Sequence, residues 1–125
     1  MRVHTKLGTG YQELIYQRAL EIELELEGLK FEREKSMPVT YLGQQIGTRR
    51  VDFFVEGKIM LELKAIWQLE PIHRVQTQNY CQMYGLPFGL LINFGGTELQ
   101  YQRVYNLNHP LNIKWKNDKR LGQAS

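Results

Sequence analysis

Residues 50–64, RVDFFVEGKIMLELK, restrict the fold of this chain more than any other stretch. They read as two strands around a tight turn at Glu56-Gly57-Lys58. Alternation places Arg50, Asp52 and Phe54 on one side of the first strand and Val51, Phe53 and Val55 on the other. In the second strand Ile59, Leu61 and Leu63 oppose Met60, Glu62 and Lys64. A register that sets Asp52 on the same side as Glu62 brings two carboxylates and an amine together over a sheet otherwise built for burial. Burying unpartnered charge costs on the order of several kcal/mol per ion. Such a cluster calls for a metal, a set of ion pairs or a chemical role.

The 125 residues are enough for one domain with a substantial core. A single cysteine, Cys81, excludes an internal disulfide framework and any multi-cysteine zinc site. No run approaches the ~18 apolar residues of a membrane span, and the first ten residues, MRVHTKLGTG, have no apolar signal-peptide core. A soluble, cytoplasmic protein is expected. The formal net charge of +3 is compatible with a nucleic-acid partner without demanding one.

Residues 9–28 read as a helix, with Thr9 as N-cap and Gln12 completing a capping box. Ile15, Ala19, Ile22, Leu26 and Leu29 form one apolar stripe at helical spacing, and Tyr16, Leu20 and Leu24 form a second row. Glu13 stands one turn before Tyr16. Its simplest role is that of a first-turn acid favoured by the helix dipole. Residues 29–46 follow as a first strand region, with Pro38 suited to an edge. After the hairpin, residues 71–84 read as a second helix, with Pro71 at its first position and Gly85 past its end. Ile72, Gln76, Tyr80 and Met83 share one of its faces. The run FGLLIN, residues 88–93, suits a strand covered on both sides, and residues 99–104 read as a last strand. Lys114, Lys116, Lys119 and Arg120, with Trp115, make a basic tail. The strand–helix–strand unit of residues 58–93 predicts a parallel crossover, and the three earlier strands are antiparallel. The expected architecture is α/β, with a mixed central sheet flanked by helices.

Asp52, Glu62 and Lys64 fit metal-assisted hydrolysis. Hard oxygen ligands suit Mg²⁺ or Mn²⁺, which keep waters and bind phosphate oxygens. Lys64 can hold an attacking water or stabilise developing charge as a compact cation. Glu13 can supply a third acid, and Gln76 and Tyr80, one helical turn apart, can orient water, lysine or phosphate. Strand-face ion pairs of Glu62 with Arg50 or Lys64 are the alternative. The chain has no HExxH, Walker loop or GxSxG motif. Cys81 reads as a buried thiol.

These residues also carry a family likeness. The segment Gly10-Tyr11-Gln12-Glu13-Leu14-Ile15-Tyr16, with Arg50-Val51-Asp52 and Glu62-Leu63-Lys64, resembles the GxxExxY family within the PD-(D/E)XK nuclease superfamily. Pro71-Ile72-His73, Gln76, Tyr80, the strand from Gly89 to Gly95, and Arg103 resemble its remaining motifs. The likeness covers residues 3–104. Thr9 stands where that family usually has proline, and relatives carry a further apolar helical segment before Val3-His4. The likeness implies an αβββαβ restriction-endonuclease-like core at residues 1–105, with residues 106–125 as a basic C-terminal tail of the same domain. It further implies a Mg²⁺- or Mn²⁺-dependent nuclease acting on DNA or RNA. Asp52, Glu62 and the backbone carbonyl between Glu62 and Lys64 would be the metal ligands, with Glu13 close by. Lys64, Gln76 and Tyr80 complete the expected catalytic set. Arg50 and Arg103 are the expected substrate-phosphate contacts, and a homodimer is the expected assembly. The alternative is a nuclease-fold module without activity that binds nucleic acid or a protein partner.

Overall fold

The computed structural model describes residues 2–112. The basic residues of the expected tail, Lys114, Lys116, Lys119 and Arg120, therefore lie outside the described residues. The elements run α1 (Arg2–Leu7), α2 (Glu13–Leu26), β1 (Phe31–Tyr41), β2 (Gln44–Val55), β3 (Ile59–Lys64), α3 (Pro71–Met83), β4 (Phe88–Asn93) and β5 (Gln100–Tyr105). The five strands form one sheet in the order β1-β2-β3-β4-β5. Strands β3 and β4 pair in parallel across α3, and the other neighbours are antiparallel. The mixed sheet and its flanking helices are the α/β core expected from the sequence. Among the described residues no helix is long and apolar enough to cross a membrane.

Two apolar clusters sandwich the sheet. Val3 of α1 and Tyr16, Leu20 and Leu24 of α2 pack on Phe53, Val55, Leu61, Leu63 and Ile92. Met37, Val51 and Met60 pack on Cys81 of α3 and on Leu86. Phe53 and Val51 are two apart in one strand, yet they serve opposite clusters. The reversal has a visible cause. The β1–β2 register skips the Glu34–Asp52 rung, passing from Arg33–Phe53 to Lys35–Val51. Glu34 sits there at φ 52. The β2–β3 ladder ends at the same level, with Phe53–Leu61 its last pair. Both strands of the first hairpin therefore swap faces at Asp52, which simple alternation could not foresee.

The helices differ from expectation in which face they bury. Helix α2 starts at Glu13 with Gln12 as N-cap, so Thr9 is not its cap. Gly8 and Gly10, at φ 71 and 104, keep the preceding segment out of the helix. The Thr9 hydroxyl instead donates to the Gly95 carbonyl at 2.6 Å. Only the Tyr16, Leu20 and Leu24 row is buried, joined by Gln17. Ile15, Ile22, Leu26 and Leu29 of the other row are exposed. In α3 the packed residues are Thr77 and Cys81, whereas Ile72, Gln76 and Met83 face outward. Gly89 explains this choice. A Cβ there would meet Cys81 Sγ at 2.9 Å and Thr77 Cγ2 at 3.1 Å, so the bare backbone of β4 lets α3 sit close through its small side chains.

The loop after β3 is clamped from β4 and β5. Asn93 accepts from Ile66 N–H at 3.0 Å and donates to Ile66 C=O at 2.8 Å. Gln100 Oε1 accepts from Leu69 N–H at 3.1 Å and from Asn93 Nδ2 at 2.9 Å. Gly95 passes directly over this loop, where a Cβ would stand 2.3 Å from both Ile66 N and Ile66 O. Overpacking of this kind costs about 1–3 kcal/mol, and more where backbone must move. Gly95→Ala is therefore expected to lower thermal stability by at least about 1 kcal/mol. Gly47→Ala, where nothing lies within 4 Å, should leave the melting temperature nearly unchanged or slightly raised. Equal effects of the two in differential scanning calorimetry would refute the clamp.

Candidate metal centre

Asp52 lies at the face reversal, where its carboxylate takes the place of a sheet rung. Oδ2 accepts from Leu63 N–H of β3 at 2.7 Å. Oδ1 accepts from Gln17 Nε2 of α2 at 3.2 Å. Gln17 is held in turn by Arg33 Nη1, which donates to Gln17 Oε1 at 2.8 Å, and Arg33 Nε pairs with Glu21 at 2.6 Å. The carboxylate is thus fixed by contacts from α2 and β3, with β1 behind them. Burial raises its pKa, and the Leu63 and Gln17 bonds offset part of that rise.

Glu62 projects from β3 by alternation on the side of Met60, towards α3. Its side chain is only 5% exposed. One oxygen, Oε2, meets Arg49 Nη2 at 3.5 Å. The other, Oε1, is buried and has no hydrogen-bond partner among the described residues. Burial, reinforced by the charge of Asp52, pushes the Glu62 carboxyl up to about 8, against the pull of Arg49 and Lys64. Glu13 opens α2 and keeps much of its surface in solvent. Its pKa is nevertheless raised by partial burial and by the Asp52 charge, and lowered by Lys64 and Arg49. Lys64 is half-buried at the end of β3, and its charge is felt by all three acids.

The structure therefore brings Glu13, Asp52, Glu62 and Lys64 into one electrostatic neighbourhood. Among the described residues, however, no three His, Cys, Asp or Glu side chains are close enough to hold an ion unaided. Tyr16 anchors the start of α2, where Glu13 stands. Its ring stacks on Phe94 with centroids 4.8 Å apart, and its hydroxyl donates to the Gly8 carbonyl at 2.6 Å, fixing the turn that leads into α2. Tyr80 is half-buried beneath the Arg49 guanidinium, 4.8 Å from ring centroid to Cζ. Gln76 is exposed one turn earlier on α3.

The two arginines expected at phosphates sit elsewhere. Arg50 is exposed and pairs with Glu34 at 3.8 Å, because the face reversal turns it away from Glu62. Arg103 lies on β5, two strands from β3, over the Phe88 ring. Sequence reasoning missed Arg49 and Gln17. A glutamine next to Tyr16, within the buried row of α2, was the available signal for Gln17. Arg49 gave none, since strict alternation puts Arg50 on the Asp52 side. Cys81 is a buried thiol as expected, its pKa pushed up to about 11 by burial and by the Glu62 charge.

The acid cluster makes the cation-free protein sensitive to alkali. Between about pH 4.5 and 8 the unfolded chain has lost the Glu62 proton while the folded chain still holds it. Unfolding then releases a proton, so stability falls as pH rises through this window. The raised Asp52 and Glu13 act in the same direction, whereas Arg49 and Lys64 act against it. In chelator-treated protein, Glu62→Gln is expected to flatten the fall and to raise the melting temperature at pH 8 relative to wild type. An unaltered pH profile in the variant would rule out Glu62 as its source.

A family model for the PD-(D/E)XK nuclease superfamily matches residues 1–104. No curated protein matches the chain. Among solved structures, the fold is similar to that of SSO0001, with a TM-score of 0.58 and 18% identity, covering 89% of this chain and 58% of that one. It is also similar to an alkaline exonuclease (LHK-Exo) from Laribacter hongkongensis. There the TM-score is 0.51 and the identity 12%, covering 86% of this chain and 62% of that one. The chain thus spans less than two thirds of the length of either protein. At such identities these likenesses speak to the fold. The family match runs through the strands that carry Asp52, Glu62 and Lys64, and on that match the chain belongs to the PD-(D/E)XK nuclease superfamily.

Proposed function

We propose that this protein is a nuclease that hydrolyses phosphodiester bonds in DNA or RNA with the help of Mg²⁺ or Mn²⁺, and that it belongs to the GxxExxY branch of its superfamily. The observation that carries the reading is Glu62 Oε1, a buried oxygen without a hydrogen-bond partner among the described residues, in the field of the partly buried Asp52 carboxylate. A buried acid whose ionisation a neighbouring carboxylate makes costlier fits a divalent cation between the two, and hard oxygen donors fit Mg²⁺ or Mn²⁺. In this reading Asp52, Glu62 and the Leu63 carbonyl hold the ion. When bound, the ion lowers the pKa of a coordinated water and neutralises charge on the phosphoryl group.

The chain's own groups do the rest. Asp52 is held in register by the Leu63 N–H and by Gln17. The Lys64 ammonium orients the attacking water and stabilises the charge that develops on the phosphate oxygens. Glu13, at the solvent-facing rim, takes part through water, which suits its exposure. Tyr80 supports the site from α3, and Gln76, one turn away, is left to contact substrate. Arg103 on β5 and the C-terminal basic residues are further candidates for phosphate contacts. A homodimer belongs to the same reading, supported by the exposed apolar row of α2.

A second reading, a nuclease-fold module that binds nucleic acid or protein without cleaving, is favoured by one contact. Arg49 already occupies part of the charge that Glu62 offers. Calorimetric titration and cleavage assays separate the two. Wild type is expected to bind Mn²⁺ or Mg²⁺ and to cut at least one of single-stranded, double-stranded or branched DNA or RNA. Asp52→Asn should lose both properties. Lys64→Met should keep metal binding and lose roughly 10²–10³ in turnover, as when one charge-stabilising donor is removed. Absence of metal binding and cleavage in wild type would sink the nuclease reading. Salt-dependent binding without cleavage would install the second.

A further inference from the structure

Arg49 is held in an unusual way for an ion-pairing arginine. Its carboxylate contact among the described residues, to Glu62 at 3.5 Å, is long for a charge-assisted hydrogen bond, which runs about 2.7–2.9 Å. Its Nε is buried without a partner among the described residues. The guanidinium is instead positioned by the Tyr80 ring below it and by the face reversal of β2, which turns Arg49 inward and Arg50 outward. Its side chain is about one-third exposed, at 35%, so the donors that Glu62 leaves unused can meet an incoming group. Its charge is felt by Glu13, Asp52 and Glu62, and by Tyr84, whose hydroxyl is also buried without a partner among the described residues. A rigid fork of five donors, stacked on an aromatic ring and only lightly engaged, matches the needs of a phosphate.

We infer that Arg49 is a substrate-binding residue that takes a phosphate of the nucleic-acid strand at the carboxylate centre, and that it rests on Glu62 when no substrate or cation is there. The inference rests on the nuclease reading above and adds to it the residue that recognises the strand. Asp52 and Glu62 would hold the cation, and Glu62, so engaged, would no longer hold the guanidinium. The freed fork then swings from Glu62 to a non-bridging phosphate oxygen while Tyr80 keeps its plane. The contact is to the backbone, so it is blind to sequence.

The test uses the full chain with Ca²⁺, a hard divalent cation, and fluorescently labelled DNA and RNA oligonucleotides, single- and double-stranded. Binding is read by anisotropy over a range of salt, and Mn²⁺ affinity is read separately by calorimetry. Arg49→Met should weaken oligonucleotide binding roughly ten-fold or more, the size of a lost charge-assisted bond. It should also lower the slope of log K against log salt by about one. Arg49→Lys should keep the slope, restore only part of the affinity, and still fold if the Met variant does not. Mn²⁺ affinity should stay equal or rise in both. An unchanged slope with tighter Mn²⁺ binding would overturn the inference, leaving Arg49 as a mere stand-in for the cation. So would an unchanged slope with only a lower melting temperature. If wild type binds neither Mn²⁺ nor any oligonucleotide, the nuclease reading falls first and this assignment with it. If wild type binds both and Arg49→Met behaves like it, this assignment falls alone.

Discussion

The hydrogen bond from Leu63 N–H to Asp52 Oδ2 stands where a backbone rung would otherwise join β2 and β3. A side chain replaces a carbonyl in the sheet, and the two strands can part without stranding a buried donor. The strands part at the level where the β1–β2 register skips its rung and Glu34 takes a positive φ. From that point on, Val51 and Met37 face α3 instead of α2. The bond therefore fixes the Asp52 carboxylate, allows the strand to change faces, and turns Arg49 towards Glu62. Gln17 and Arg33 brace it from behind, so that α2 and β1 resist any rotation of the carboxylate.

Around this bond the charges are deliberately unbalanced. Glu62 is removed from water and Asp52 partly so, and the Asp52 charge makes Glu62 harder to ionise. Arg49 touches Glu62 at one oxygen only, and Lys64 acts on all three acids through its charge. A well-paired buried cluster would be inert. Here one oxygen lacks a partner among the described residues, and the cost is carried by the packing of two apolar clusters on either side of the sheet.

Much of this was legible in the chain because it rested on local patterns. The hairpin turn, the parallel crossover, Pro71 at the start of α3, the doubly covered strand of residues 88–93, and the grouping of Asp52, Glu62 and Lys64 all follow from turn chemistry or periodicity. The misreadings share one origin, which is that apolar spacing shows a stripe without showing which stripe is packed. Ile15 and Ile22 are as apolar as Leu20, but the α2 face is chosen by Tyr16 docking on Phe94 and by Gln17 reaching Asp52. Ile72, Gln76 and Met83 share a face of α3, yet the bare backbone at Gly89 selects Thr77 and Cys81 for packing instead. Arg49 and Arg50 exchanged roles because a skipped rung inverts parity, and a skipped rung has no signature in a run of strand-forming residues.

The same skipped rung leaves residues 38–41 and 44–48 as a two-stranded ribbon beyond the reach of β3, with Tyr41, Leu42 and Ile46 exposed on it. Such a ribbon carries unpaired amides and carbonyls along β1, and along β2 once β3 has ended, in the form that recruits strands from other molecules. Pro38 removes a donor within it, and the register shift between Val39 and Thr40 bends it. A proline and a bulge, both apart from the carboxylate centre, thus blunt this open edge. The edge and the carboxylate centre occupy separate parts of one hairpin.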